Sequence, residues 1–331
     1  MENNTIPSFN GPFKDILPDY IRYKRSLGYK YSNKTVYLLK KMDSFFSFNG
    51  YIEPTITRNM YEKWTCVCEG EAASTTKHRR IAINGLIKYL ISIGQKDIYN
   101  GTDDMRVFHD DFVPYIYTEE QIRDMFRVLE KQYALDPSYA NGSFLMMVRM
   151  FYCCGFRKTE LLELELQDID FPNGKITILH GKNNVSRIVV ASDSLRDEMI
   201  EYKKRYFSYS DPDAKMFHGI NTARYTDQTL YRRYQKLMKD AGIPKREDGK
   251  YPRIHDLRHT FCVRSLESME KKGMDIYTTL PLLAKYLGHK HIRDTEYYLR
   301  FLDEHYDDVL DKAAKYCLGL FPEIKEVQHE E

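Results

Sequence analysis

The sequence predicts a mainly α-helical protein of two domains, the second carrying a small antiparallel β-sheet. Three observations point there. Apolar residues recur at helical spacing through the first hundred residues and again from Thr118 onward. Residues 101–117 (GTDDMRVFHDDFVPYIY) lack that periodicity and contain Pro114. Two short strand-like runs, KITILH (175–180) and RIVVA (187–191), flank the turn-forming GKNNVS. A length of 331 residues is also long for a single core. The expected division is a helical domain over 1–104, a linker over 105–117 and a second domain over 118–331.

The elements follow in order. FKDILPDYIRYKRSLGY sets Phe13, Leu17, Tyr20, Ile21 and Leu27 at helical spacing, with Gly28 as C-terminal cap. Ser32 opens a second helix with Val36, Leu39, Met42, Phe45 and Phe46 on one face. A third covers Thr57 to Cys66. A fourth begins near Ser74, with Ile81, Leu86, Tyr89 and Leu90 as its buried set. Its first turns carry Lys77, His78, Arg79 and Arg80, against the sense of the helix macrodipole. Phosphate contact would explain them, and a solvated face would do so equally. Thr118 and Gln121 form a capping-box signature ahead of Ile122 and Met125. An apolar helix over 142–154 stops at Gly155, and the hairpin follows. From Ser192 the pattern is helical again, interrupted by Pro212, by GIPKREDGKYP (242–252), by Gly273 and by Gly288.

Composition narrows the class. Hydrophobic content of 42% supports globular cores. No run of eighteen apolar residues exists, and MENNTIPSFNG lacks a basic-then-apolar signal pattern, so a cytoplasmic protein without a membrane partner is expected. The six cysteines include a C-x-C pair and an adjacent pair, spacings of neither a disulfide framework nor a zinc site. They read as thiols, with no metal and no cofactor implied. The net charge of +2 hides an asymmetry. Residues 1–100 carry 15 Lys and Arg against 9 Asp and Glu, whereas residues 301–331 carry 3 against 9. A basic N-terminal third suits a polyanionic partner.

The residue types with chemistry cluster in two stretches. Arg157 lies between Gly155, which ends one helix, and Thr159, a candidate cap for the next. Backbone on both sides would hold its guanidinium, a planar fork that matches two phosphate oxygens. In HDLRHT, His255 and Arg258 are three residues apart and share a helix face. LGHKHIRDTEYYLR then places His289 ahead of adjacent tyrosines at the start of a helix. Adjacent helical residues point about 100° apart, so only one of Tyr297 and Tyr298 can face a given site. Taken singly, Arg157 reads as a surface salt bridge and His255 as a satisfied core histidine.

Together, GFRKTELLELELQDID, the hairpin bearing Gly181-Lys182, HDLRHTF and LGHKHIRDTEYYL resemble the tyrosine recombinase (phage integrase) family. That family's boxes run in the same order and spacing over roughly residues 118–310. The resemblance implies a two-domain architecture, a helical core-binding domain joined to an α+β catalytic domain. It implies that Arg157 and Arg258 clamp a scissile DNA phosphate and that Lys182 protonates the departing 5′-oxygen. His255 and His289 would donate hydrogen bonds to the phosphate, with His255 also a candidate acceptor of the nucleophile's proton. Tyr298, nine residues after His289, would be the nucleophile, forming a 3′-phosphotyrosyl link, and Tyr297 a packing residue. By spacing, Glu160, three residues after Arg157, would either orient it or form an ordinary helix-surface salt bridge, and His259, the second histidine of its box, would pack and hydrogen-bond behind the site. The family pattern also implies a double-stranded DNA partner and a homo-tetramer, with the segment after Asp303 docking in a neighbouring protomer or on its own domain. The expected function is site-specific recombination that integrates or excises a mobile element. A type IB topoisomerase-like nicking-closing enzyme and a catalytically silent DNA-binding protein are the rivals. The chain departs from the pattern at Phe156, where Leu is common, and at Asp294-Thr295-Glu296, where two threonines are usual.

Overall fold

The computed structural model describes residues 6–29, 31, 33–71, 73–100, 113–179, 186–219 and 225–302, which form two units divided at residue 111. The first holds α1 (Leu17–Ser26), α2 (Asn33–Phe48), α3 (Arg58–Thr65) and α4 (Ala73–Ser92). Phe13, Leu17, Tyr20, Ile21, Leu39, Met42, Phe46, Met60, Trp64, Ile83, Leu86 and Leu90 make its core. Asp43 is buried within it, accepting hydrogen bonds from the Gly11 and Phe13 amides at 2.7 and 2.8 Å. Those two otherwise orphaned donors explain a carboxylate in an apolar setting.

Two readings of this unit need correction. Ile81 is exposed, and the face of α4 that packs inward is Ala82, Ile83, Leu86, Ile87 and Leu90. Spacing alone cannot fix which of two overlapping apolar stripes meets the neighbouring helices. Leu27 is likewise exposed, because α1 ends at Ser26 and the chain turns away at Gly28.

The second unit begins earlier than the predicted linker allows. Tyr117 is fully buried, its amide donates to Thr260 Oγ1 at 3.0 Å, and its hydroxyl meets that of Tyr234 at 2.8 Å. Residues 113–117 therefore belong to this unit, while 101–112 lie outside the described residues. Next come α5 (Glu119–Leu135), α6 (Tyr139–Cys154) and α7 (Lys158–Leu162), followed by β1 (Ile169–Asp170), β2 (Lys175–Ile178) and β3 (Arg187–Val190). The Thr118–Gln121 capping box at the start of α5 forms as its sequence predicts. The sheet is antiparallel in the order β1-β2-β3, with Ile176 opposite Val189 and Ile178 opposite Arg187. β1 is a strand of two residues, too short to leave an alternating pattern in the sequence.

The remaining helices are α8 (Asp193–Tyr206), α9 (Asp227–Asp240), α10 (His255–Lys271), α11 (Ile276–Leu287) and α12 (Arg293–Glu296). α10 packs against both α6 and α11, so its N-terminal residues lie beside the C-terminal ends of those helices. Both ends close on a left-handed glycine, Gly155 at φ 61° and Gly288 at φ 66°. No helix among the described residues is long and apolar enough to cross a membrane.

Candidate active site

Arg258 organises the site. It is 1% exposed, and its guanidinium donates to Gly155 O at 2.6 Å and Leu287 O at 2.7 Å. Those carbonyls sit where α6 and α11 end, the negative poles of both helices. A third contact, at 3.1 Å, reaches His289 Nε2. A guanidinium can only donate, so His289 Nε2 accepts and its proton resides on Nδ1. Nδ1 then donates to Thr295 Oγ1 at 2.8 Å. Thr295 is fully buried, so the single threonine that this chain keeps before the tyrosines is the one that fixes His289.

Arg157 is the N-cap residue of α7, which corrects the expectation that Thr159 caps that helix. The capping group is the Glu160 carboxylate, which accepts from the Arg157 amide at 2.9 Å. The Arg157 guanidinium donates to Glu160 Oε1 and to Gly288 O, each at 2.8 Å. Glu160 thus orients Arg157 as the sequence suggested, and it does more. Arg187 on β3 forms a two-pronged pair with Glu160, both contacts at 2.8 Å, and also donates to Tyr286 O. Burial by itself would raise the Glu160 carboxyl, but Arg187 and then Arg157 outweigh it and hold the group at about 2. A Cβ at Gly288 would lie 3.0 Å from Arg187 Nη1 and 3.4 Å from Arg157 Nη1. Glycine is required there for its backbone and for room beside both arginines.

Sequence reasoning did not assign Arg187 a role. Its one signal was a cation on a short strand whose neighbours are apolar, where an unpaired charge would be costly. The partner that resolves that cost is 27 residues away in the chain.

The tyrosines do not open a helix as expected. They follow α12 and precede a 3-10 turn, Leu299–Phe301. Tyr298 is 4% exposed, and its hydroxyl meets His259 Nδ1 at 2.8 Å and the Cys262 sulfur. Burial pushes this phenol well above its ordinary value, against the smaller opposing pull of Arg258 and Arg157. Tyr297 is half-buried, with the Arg300 guanidinium 3.5 Å from its ring centroid and Phe301 alongside. His255 packs edge-on against His259, ring centroids 4.9 Å apart. The structure gathers Arg157, Glu160, Arg258 and His289 around the Leu287 and Gly288 carbonyls, and places the hydrogen-bonded His259–Tyr298 pair, with His255 against His259, within the field of Arg258. Lys182 lies outside the described residues, as do all those from Asp303 onward.

Of the basic residues on α4, Lys77 and His78 are exposed and Arg80 is half-buried. Arg79 departs from the expectation of DNA contact. It pairs with Glu71, donates to Cys66 O at 2.7 Å and covers the Trp64 ring at 5.5 Å. Its charge is satisfied inside the first unit.

All three imidazoles of the site are held neutral. Burial, then neighbouring positive charge, lowers His255 and His289 to about 3 and His259 to about 4. An unfolded chain titrates its histidines near 6.5, so below that pH the unfolded state binds more protons and stability falls. The expected result is an unfolding free energy of the second unit that is flat above about pH 6.5 and falls between about 6 and 4, by up to ~1.4 kcal/mol per pH unit per histidine, with the thermal midpoint falling in step. A second loss, below about 4.5, reflects protonation of Glu160. Thermal melts followed by circular dichroism across this range check both; an unchanged midpoint from pH 7 to 5 contradicts the burial of these rings.

The phage integrase family profile matches residues 116–305, more than half of the chain, and the protein belongs to that family. Among its curated relatives, tyrosine recombinase XerA of Saccharolobus solfataricus is 33% identical over 170 residues, 51% of this chain and 49% of the relative. XerA of Pyrococcus furiosus is 26% identical over 204 residues, 61% of this chain and 62% of the relative. The chain thus spans about half to three fifths of the length of the curated relatives it matches. Among solved structures, XerH site-specific recombinase bound to palindromic difH substrate aligns with a TM-score of 0.62 at 22% identity, over 84% of this chain and 78% of that one. Tn1549 transposon integrase in complex with transposon right end DNA aligns at 0.61 and 16% identity, over 84% and 92%. The expected two-domain tyrosine recombinase architecture is therefore the observed fold.

Proposed function

We propose that this protein is a site-specific DNA recombinase that cuts and rejoins DNA through a covalent 3′-phosphotyrosine intermediate. The observation that carries this reading is the charge of the site. Three guanidiniums, Arg157, Arg187 and Arg258, surround one carboxylate, Glu160, in a largely buried setting. Burial above all, and then the neighbouring charge of Arg157, push Arg258 down to about 10, and the three guanidiniums outnumber the Glu160 carboxylate beside them. A phosphodiester supplies one unit of negative charge, and the pentacoordinate state formed by attack on it supplies a second. An excess of fixed positive charge favours that state over the starting phosphate.

In this mechanism Arg157 and Arg258 hold the non-bridging oxygens, their guanidiniums already tethered to Gly155 O, Leu287 O and Gly288 O. Prior tethering lowers the entropy cost of assembling the transition state. His289 and His255 border the phosphate, and Tyr298 attacks phosphorus as the 5′-oxygen leaves with a proton from Lys182. The bond energy of the phosphodiester is kept in the tyrosyl link, so resealing needs no nucleotide cofactor. Lys77 and His78 are the candidate backbone contacts of the first unit. Paired cleavage on two sites calls for a tetramer on double-stranded DNA, with the segment after Asp303 joining protomers. The likeness to a transposon integrase supports integration or excision of a mobile element as the biological role, carried out in the cytoplasm.

The test uses nicked suicide duplexes with inverted-repeat arms, drawn from a broad sequence library and incubated in EDTA. Covalent adducts on denaturing gels, and recombinant products only when two sites are present, support a recombinase. Adducts that reseal on single duplexes point to a topoisomerase. Binding without any adduct leaves a catalytically silent DNA-binding protein.

A further inference from the structure

We infer that His259 is the proton acceptor for Tyr298, and that Asp256 is the positioning residue that makes it one; this rests on the phosphotyrosine reading above. The Tyr298 hydroxyl is the reacting atom in that reading, and the side-chain nitrogen placed on it, at 2.8 Å, is His259 Nδ1. The opposite nitrogen, Nε2, lies 4.0 Å from Asp256 Oδ1. Asp256 is fully buried and is fixed by the Arg253 amide at 2.7 Å and the Arg253 guanidinium at 3.3 Å. A negative group on the Nε2 side favours the tautomer protonated there, which leaves the Nδ1 lone pair facing the phenol. The tyrosine hydroxyl is hydrogen-bonded to the imidazole, and the carboxylate lies beyond hydrogen-bonding distance on the far side of the ring, an electrostatic rather than a hydrogen-bonded neighbour, with residues 256 and 259 on successive turns of α10 and residue 298 brought in by the chain after α12.

The step balances as follows. The Tyr298 oxygen forms its bond to phosphorus, its proton moves to His259 Nδ1, and the bond from phosphorus to the 5′-oxygen breaks as that oxygen takes the proton that the proposed function draws from Lys182; resealing returns this proton to Lys182. His259 becomes an imidazolium between the phenolic oxygen and Asp256. On resealing, the His259 proton returns to the Tyr298 oxygen as the 5′-hydroxyl attacks. Besides Asp256, the groups that face His259 include His255, Arg253, Arg258 and Tyr298, and Cys262 meets the Tyr298 hydroxyl. Arg253 and Arg258 oppose a charged His259 in the free protein. A phosphate bound between Arg157 and Arg258 offsets that opposition, so the base becomes competent when substrate is present. Coupling basicity to substrate keeps the buried phenol protonated until there is a phosphate to attack.

The experiment measures single-turnover cleavage of a suicide duplex against pH for the wild type and for His259→Asn, whose side-chain amide can still bond the phenol but cannot take its proton. DNA binding and thermal midpoint are measured alongside. The expected result is near-normal DNA binding and a cleavage deficit of about 10²-fold at pH 7 that shrinks by about tenfold per pH unit on raising the pH. The deficit persists on a 5′-bridging phosphorothiolate duplex, whose leaving group needs no proton. Imidazole added to His259→Ala restores part of the rate. The inference is overturned if His259→Asn cleaves within about threefold of wild type at pH 7. It is equally overturned by a deficit that is constant with pH, or that the phosphorothiolate removes. Failure of the wild type to form any adduct would sink the phosphotyrosine reading itself, a result distinct from an active wild type matched by an active His259→Asn.

Discussion

Replacing Tyr298 by Phe is expected to eliminate the covalent protein–DNA adduct, while Tyr297→Phe continues to form it. No other side chain can substitute for the attacking oxygen, so the effect is a loss of product. The two tyrosines are adjacent but differently held. The Tyr298 hydroxyl is hydrogen-bonded to His259 and lies within the field of Arg258 and Arg157, whereas the Tyr297 ring stacks under Arg300. Tyr298→Phe keeps the ring in the buried apolar cluster that includes Leu266, Leu283 and Leu287, so the variant should fold. The lost hydrogen bond costs about 1 kcal/mol, small against the loss of reaction. Denaturing gels of both variants on suicide duplexes, with thermal melts to show that each is folded, make the check. An adduct with Tyr298→Phe that disappears in Tyr297→Phe would reverse the assignment.

Glu160→Met is expected to be the most destabilising single change in the site. It leaves Arg187, whose side chain is 5% exposed, and Arg157, at 16%, facing each other with no counter-charge. Breaking a buried ion pair from one side costs about 3–5 kcal/mol, because the remaining charge stays desolvated. Removing Arg187 as well takes away the worse of the two buried charges, so Glu160→Met with Arg187→Met should be more stable than Glu160→Met alone, with a coupling of about 1–3 kcal/mol. Urea unfolding of the second unit gives these values directly. The double variant should still cleave poorly, because Arg157 has lost its tether to Glu160. A double variant that loses as much as Glu160→Met and Arg187→Met lose singly, added together, would mean that Arg187 and Glu160 act independently.

The contrast between these two predictions reflects how each residue could be recognised. Tyr298 was singled out in the sequence through the resemblance, by its spacing from His289, and Arg157 after Gly155 and Arg258 after His255 were marked by equally short-range patterns. Helix ends were legible for a similar reason. The capping box at Thr118 and the glycine that closes α6 are short-range devices whose chemistry acts within a few residues. The hairpin was readable from its alternation and its turn, although its smallest strand was not.

Tertiary structure decided the rest. Arg187 meets Glu160 across 27 residues and Tyr286 across 99, and His259 meets Tyr298 across 39. Arg79 looked like a DNA contact by its place in a basic cluster, yet Glu71 and Trp64 claim it. Ile81 looked buried by spacing, yet the neighbouring helices meet the next stripe round. In each case the chain specifies a side chain's chemistry locally, while its partner depends on which distant segment the fold brings against it. A buried charge or hydroxyl must find a partner to offset its desolvation. The sequence by itself thus determined the helical elements, the order of the boxes and the residue types able to act on a phosphate. The packing of α10 against α6 and α11 decided which of those residues hold one another, because only that packing brings helix ends more than a hundred residues apart onto one guanidinium.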